Sequence, residues 1–299
     1  MNTIRTSFSI KDLENLSGIK AHTIRIWEKR YNLLVPERTD TNIRTYNLRS
    51  LQKLMNISFL NNNGYKVSRI AKLDEHQIAT KVKEISYLGN TEPHAFNAFK
   101  LAMLNFDQAL FYNTYNRLLE EKSFREIFYE LFIPIIQDIG FLWQTLTIKP
   151  SHEHFLSVHI RQKVLIHIER IQSSNPKPDT KTFVLFLPLN EIHDIGLLFI
   201  NYELLSRGYH TIYLGESVPI EDLNLLNAIY EDITYISYFT IKPNPEEVES
   251  YLKQLYTEVI KNTTNSVRLI GTRFIDSKPK KLPKQMKLYK SIENLVKDL

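Results

Sequence analysis

The sequence predicts a multidomain α/β chain: a small basic domain in front, an all-helical middle and a parallel sheet flanked by helices behind. Three observations lead there. Basic charge is concentrated at the front. Of the 299 residues, the first 73 hold 13 Lys and Arg against 5 Asp and Glu, whereas the rest hold 25 against 28. Between about residues 93 and 172, apolar residues recur at helical spacing with few glycines. After residue 180, short apolar runs alternate with helical stretches, as expected for strands buried on both faces in βαβ units.

The totals set outer bounds. At roughly 100–150 residues per domain the length allows two or three. The absence of cysteine excludes disulfides and thiolate metal sites. Asp12 and Glu14 stand where a signal peptide needs an apolar core. No apolar run approaches the ~18 residues of a membrane span, so a cytoplasmic chain with no membrane partner is expected. The net charge of +5 is modest, but its placement at the front is the footprint of a nucleic-acid-binding domain on a neutral remainder.

At the front, Ser9 can cap a helix carrying Ile10, Leu13 and Leu16, and Gly18 permits the tight turn of a helix-turn-helix. A second helix follows over 22–31. At 3.6 residues per turn it turns Ile24, Trp27 and Tyr31 to one side and His22, Arg25, Ile26 and Lys29 to the other. The second set suits phosphates and base edges. Alone, it fits an ordinary solvated basic face equally well. Pro36 and the polar 39–42 segment predict a short hairpin, or wing, with Arg38 and Arg44 flanking its tip. Ser50 starts a third helix, Gly64 ends it, and a fourth begins near Val67.

Gly89, Asn90 and Pro93 mark a break. Helices are then predicted over 93–104, 106–120, 123–140 and 151–172, punctuated by Pro134 and Pro150, which together suit a four-helix bundle. Trp143 stands ten positions before Glu153-His154, in the first turn of the last helix. Read singly, the Trp is core and the Glu complements the helix dipole. A linker at 175–179 leads to apolar runs at 183–187, 211–214, 235–239, 267–270 and 286–289, the strands of a Rossmann-like sheet. Ligands of such sheets lie beyond the carboxyl ends of the strands. The first end reads Pro188 to Gly196 and carries Glu191, His193 and Asp194. Imidazole is a common metal ligand, and a carboxylate two residues away can orient it by accepting its other ring proton. Gly196 lets the following helix pass close to a bulky group. A solvated loop histidine is the bland alternative.

Phe8-Ser9-Ile10-Lys11-Asp12-Leu13, His22-Thr23-Ile24-Arg25, Trp27 to Tyr31 and Arg44-Thr45-Tyr46 resemble the winged helix-turn-helix of MerR-type transcriptional regulators. The resemblance implies that the 20–31 helix enters the major groove of double-stranded promoter DNA and that the wing touches the flanking backbone. The DNA-binding residues expected are Lys20, His22, Thr23, Arg25, Ile26, Lys29, Arg30, Arg38, Arg44 and Tyr46. Asn42-Ile43 departs from the family at the wing tip, where Gly and an aromatic residue or His are usual.

Glu191-x-His193-x-x-Gly196 resembles the Asp/Glu-x-His-x-x-Gly signature of cobalamin-binding domains, where the His is the lower axial ligand to cobalt. Ser237 is similar to their Ser-x-Leu element and Gly271-Thr272 to their Gly-Gly element. The spacing of Trp143, Glu153 and His154 resembles the helical cap of light-sensing cobalamin-binding MerR-type repressors. These resemblances imply His193 as the metal ligand and Trp143, Glu153, His154, Glu191, His193, Asp194, Gly196, Ser237, Gly271 and Thr272 as the cofactor-binding set. Gln144 stands where photosensing relatives carry a second His, Thr272 replaces a glycine, and 276–285 is short and rich in Pro and Lys for a crossover helix.

The expected organisation is a winged helix-turn-helix over 1–75, a helical-bundle cap over 90–173 and a cobalamin-binding-like Rossmann domain over 180–299. The expected function is a DNA-binding regulator, a repressor, at least dimeric, controlled by adenosylcobalamin or methylcobalamin, with light as one candidate input. The alternative is a regulator whose sensor domain binds a photoreceptor or other protein instead. An enzyme is not expected, because a corrinoid methyltransferase or mutase module needs a substrate domain and residues 1–75 are taken up by a DNA reader.

Overall fold

The computed structural model describes residues 7–39, 41–88, 92–144, 148–172, 181–271 and 282–299. The chain divides into two compact units, Met1–His159 and Ile160–Leu299.

The first unit opens with β1 (Ser7–Phe8), α1 (Ile10–Ser17), α2 (Ala21–Tyr31), β2 (Glu37–Arg38), β3 (Arg44–Asn47) and α3 (Leu48–Asn62). Ser9 caps α1 as expected: its hydroxyl accepts from the Asp12 amide and the Asp12 carboxylate accepts from the Ser9 amide. The N-terminus of α2 is held from outside, since the Ala21 amide donates to Glu14 at 3.2 Å. Leu13, Leu16, Ile24, Leu51, Leu54 and Phe59 form the core beneath. The strands make an antiparallel sheet in the order β1-β3-β2, with Phe8 opposite Tyr46 and Arg38 opposite Arg44. At the wing tip Asn42 takes a left-handed φ of 62°, which asparagine tolerates better than most residues, so it serves where a glycine is usual.

After α4 (Val67–Ile70) and α5 (Glu75–Leu88) come α6 (Glu92–Asn105), α7 (Gln108–Glu121), α8 (Phe124–Ile127), α9 (Ile133–Gln144) and α10 (Pro150–Gln172). The expected break at Pro134 takes another form. A π-helical turn at Phe128–Phe132 joins α8 to α9, and the Ile133 amide reaches back to the Phe128 carbonyl. The wider turn carries the helix past a proline that has no amide to donate. Stacked and edge-on rings fill the bundle, with Phe99 5.0 Å from Phe111 and 5.7 Å from Phe132. Packing of α3 on α6 joins winged domain and bundle in one compact unit.

The second unit takes the rest of α10, then β4 (Thr182–Phe186), α11 (Ile195–Leu205), β5 (His210–Gly215), a 3-10 turn at Ile220–Leu223, α12 (Asn224–Asn227), β6 (Thr234–Tyr238), α13 (Val248–Leu255), β7 (Ser266–Ile270), β8 (Met286–Tyr289) and α14 (Ile292–Lys297). All five strands are parallel, in the order β5-β4-β6-β7-β8. Every residue of β4 is buried, and the helix that follows it, α11, is apolar nearly all round. The chain leaves β4 toward one edge and β6 lies on its other side. The switch point, where ligands of such sheets bind, is therefore at the carboxyl ends of β4 and β6.

Gly271 closes β7 with φ 141°, and a Cβ there would lie 2.0 Å from the carbonyl oxygen of Phe239. Replacement by alanine combines strained backbone with a main-chain clash. Gly271→Ala is expected to destabilise the second unit by about 3 kcal/mol, read as a lowered urea midpoint.

Candidate functional site

Two places bring the sequence-derived residues together, and they are described separately. On α2, Ile24 is fully buried while Trp27 and Tyr31 are half-buried. His22, Arg25, Ile26, Lys29 and Arg30 are exposed, with Thr23 half-exposed. Ile26 is 51% exposed among cations, a costly place for an aliphatic side chain in water and a suitable one against a thymine methyl. Lys20 is exposed and paired with Glu14 at 3.3 Å. On the wing, Arg38 is exposed and donates to the Asn42 side chain. Arg44 is half-buried, with Nε 3.4 Å from Glu28.

Tyr46 departs from the expectation of a surface contact. Its ring is 1% exposed and its hydroxyl donates to Glu28. Burial, with the Glu28 carboxylate beside it, pushes the phenol above its ordinary range, so it remains a proton donor. Tyr46 and Arg44 thus brace the wing against α2 through Glu28. Sequence reasoning missed Glu28, since the contact spans 18 residues.

In the second unit the loop after β4 is built on one carboxylate. Glu191 has no exposed surface. Its Oε2 accepts from the amides of Thr240, Ile241 and Lys242 at 3.2, 2.6 and 2.8 Å. Its Oε1 accepts from the amides of Ile192 and His193 at 3.0 and 3.1 Å and lies 2.5 Å from His193 Nδ1. Burial alone would raise the pKa of Glu191. The hydrogen bonds from His193 and from the amides of Lys242, Ile241 and His193 outweigh it and hold the carboxyl at about 2. With Nδ1 engaged, metal ligation by His193 would go through Nε2, and 44% of the His193 side chain is exposed.

The neighbours have duties within the chain. Asp194 starts α11 without capping it. Its carboxylate turns instead to Arg161 Nε, at 3.1 and 2.8 Å, and lies 3.4 Å from the Tyr213 hydroxyl. Gly196 gives room to the chain's own Tyr238: a Cβ at 196 would lie 2.9 Å from that ring. The Ser237 hydroxyl is fully buried with no hydrogen-bond partner among the described residues, a state that costs about 1–3 kcal/mol. Glu153 and His154 begin α10. Glu153 lies 3.1 Å from His154 Nδ1 and accepts from the Ser157 hydroxyl, and His154 is largely exposed. The Trp143 and Gln144 side chains, Thr272 and most of 276–285 lie outside the described residues.

Composition and spacing did not show the rim of the loop. Leu189 and Ile192, with Leu214 at the end of β5 and Ile241 beyond β6, are exposed aliphatic side chains. The amides joining Glu191 to 240–242, and Ser217 to the Glu191 carbonyl at 3.2 Å, knit these three loops together. The only signal for the rim in the sequence is that Leu189 and Ile192 flank Glu191 in a loop, where polar residues are usual.

Residues 8–77 match the MerR HTH family of regulatory proteins, and residues 95–166 match the B12 binding domain family. The front of the chain is thus similar to MerR-type DNA-binding domains, and its helical middle to B12-binding domains. It is 28% identical over 226 residues to the HTH-type transcriptional repressor CarH of Myxococcus xanthus, covering 73% of each chain. To the repressor CarA of the same organism it is 21% identical over 250 residues, covering 82% of this chain and 80% of that one. Among solved structures, the monomethylamine corrinoid protein of Methanosarcina barkeri superposes with a TM-score of 0.58 at 13% identity. That match covers 70% of this chain and 98% of the other, and it supports the fold. The B12-family match covers α6 to the middle of α10, so the Glu191–His193 loop lies outside it.

The described residues of the loop after β4 fit a corrinoid. They hold no cluster of three or more His, Cys, Asp or Glu, as a metal bound by side chains alone would need. A metal carried in its own macrocycle needs a single imidazole, and the part-exposed His193, next to the exposed Ile192, can supply one. The described residues include no helix long and apolar enough to cross a membrane.

Glu191 also makes a pH signature. Its carboxyl is depressed from 4.5 to about 2, so as pH falls the unfolded chain takes up the proton first. The stabilisation, about 3 kcal/mol, is present above about pH 4.5 and lost between there and pH 2. Urea titrations of wild type and Glu191→Gln across that window should converge as the pH drops.

Proposed function

We propose that the chain is a cobalamin-controlled DNA-binding regulator, a repressor and not an enzyme. The observation that carries the reading is the Glu191–His193 pair at the switch point of the sheet, on the same chain as a basic α2. In this reading α2 enters the major groove with His22, Thr23, Arg25, Ile26, Lys29 and Arg30, while Lys20 and the wing residues Arg38 and Arg44 meet the backbone. Arg44, Tyr46 and Glu28 set the angle of the wing.

Bound cobalamin, as adenosylcobalamin or methylcobalamin, would supply a cobalt ion that the His193 imidazole could ligate. Glu191 fixes the tautomer, so that Nε2 carries the lone pair. The exposed aliphatic side chains Leu189 and Ile192, in the same loop as His193, would offer the cofactor an apolar surface. Glu153 and His154 would contribute to holding the cofactor, and Ser237 would gain a polar partner from it. Gly196 and Gly271 act by admitting Tyr238 and the Phe239 backbone. Asp194 acts through its strap to Arg161.

The relatives named as transcriptional repressors support this output, and MerR-type domains work as oligomers, so at least a dimer is proposed. Cofactor state shifts DNA affinity only as far as cobalamin binds two assemblies with different affinity.

Purified protein incubated in the dark with adenosylcobalamin or methylcobalamin should retain colour through gel filtration. His193→Ala should lose or shift the visible spectrum while staying folded. An uncoloured wild type would reject the cofactor and favour a protein partner. Arg25→Ala or Lys29→Ala should weaken promoter binding in gel shifts, and losing one phosphate contact should lower the salt slope by about 1. Repeating the gel shifts in the dark and after illumination, with and without corrinoid, tests light as the input.

A further inference from the structure

The cofactor loop is restrained twice, and only one restraint is explained by the Glu191–His193 pair. Asp194 follows His193 directly and starts α11, a position where aspartate ordinarily accepts from its own helix's first amides. Here its side chain makes no such bond and is buried, 4% exposed. It is held by Arg161 of α10 through both carboxylate oxygens, with the Tyr213 hydroxyl of β5 beside it. A buried carboxylate given up by its own helix and paired with a cation on another element fixes the geometry of the residues next to it.

We propose that Arg161 is a positioning residue for His193: through Asp194 it anchors the loop to α10 and β5, and so sets where the imidazole stands over the carboxyl end of the sheet. The proposal rests on the reading of His193 as the cobalt ligand. Glu191 holds the ring and amide of His193, and Arg161 holds the residue that follows it. Without the guanidinium, Asp194 is free to rotate to the amides of α11, and the residue before it shifts with it.

The test uses the full chain with methylcobalamin or hydroxocobalamin in the dark. Wild type should show a His-ligated visible spectrum. Arg161→Gln should bind corrinoid about tenfold more weakly, the lower end of what loss of an outer-shell partner costs, and shift the spectrum toward the unligated form. Arg161→Lys should restore much of the ligated spectrum, and Asp194→Asn should resemble Arg161→Gln. In the His193→Ala background, Arg161→Gln should change affinity less than twofold. That last readout separates positioning from general stability, because a fold defect would weaken both backgrounds alike. If Arg161→Gln does not fold, Asp194→Asn alone and combined with His193→Ala gives the same comparison. A wild-type spectrum in the Arg161 and Asp194 variants, or losses that multiply independently with His193→Ala, overturns the proposal while leaving the ligand reading standing. A wild type that retains no corrinoid overturns both.

Discussion

The second unit depends on one buried anion. Taking a carboxylate fully out of water costs several kcal/mol unless nearly every lone pair is met. Glu191 is met by five backbone amides and an imidazole. Those amides come from two chain segments about fifty residues apart, so the same interaction that makes the charge tolerable also ties the loop after β4 to the loop after β6. The sheet explains why the two segments meet: β4 and β6 are hydrogen-bonded neighbours in register, and their loops leave from the same end.

A lesser version of this arrangement governs the front of the chain. Glu28 lies on α2 yet points toward the wing, where Tyr46 and Arg44 engage it. Between them the two glutamates show one economy of design: an acidic side chain on the element that carries function is used to fix the element beside it. The exposed cations of α2 are thereby presented on a helix whose roll and neighbouring hairpin are both set. Glu14 does the same for the start of α2 by accepting its first amide.

How much was readable beforehand follows from how local each cause is. The Ser9 cap, the two faces of α2, the bundle helices and all five strand positions depend on residues a few positions apart, and they are where the pattern places them. The Glu191–His193 pair was readable for the same reason, being two residues long. The π turn before Pro134 could not be read, because a proline signals a lost hydrogen bond without saying how the helix re-routes around it. Arg161 and Asp194 are 33 positions apart, and Arg161 carries no signal to separate it from the other cations of α10. Tyr46 was expected at the DNA as part of the wing, and its burial against Glu28 turns it to bracing the wing instead.

The contact between Gly196 and Tyr238 ties two positions 42 residues apart into one steric unit. The missing side chain at one is the space taken by the ring at the other. A side chain added at 196 requires the Tyr238 ring to move, and a smaller residue at 238 would open a void against the first turn of α11. The size of one residue thus limits the size of the other, and a change at either is felt first across the start of α11.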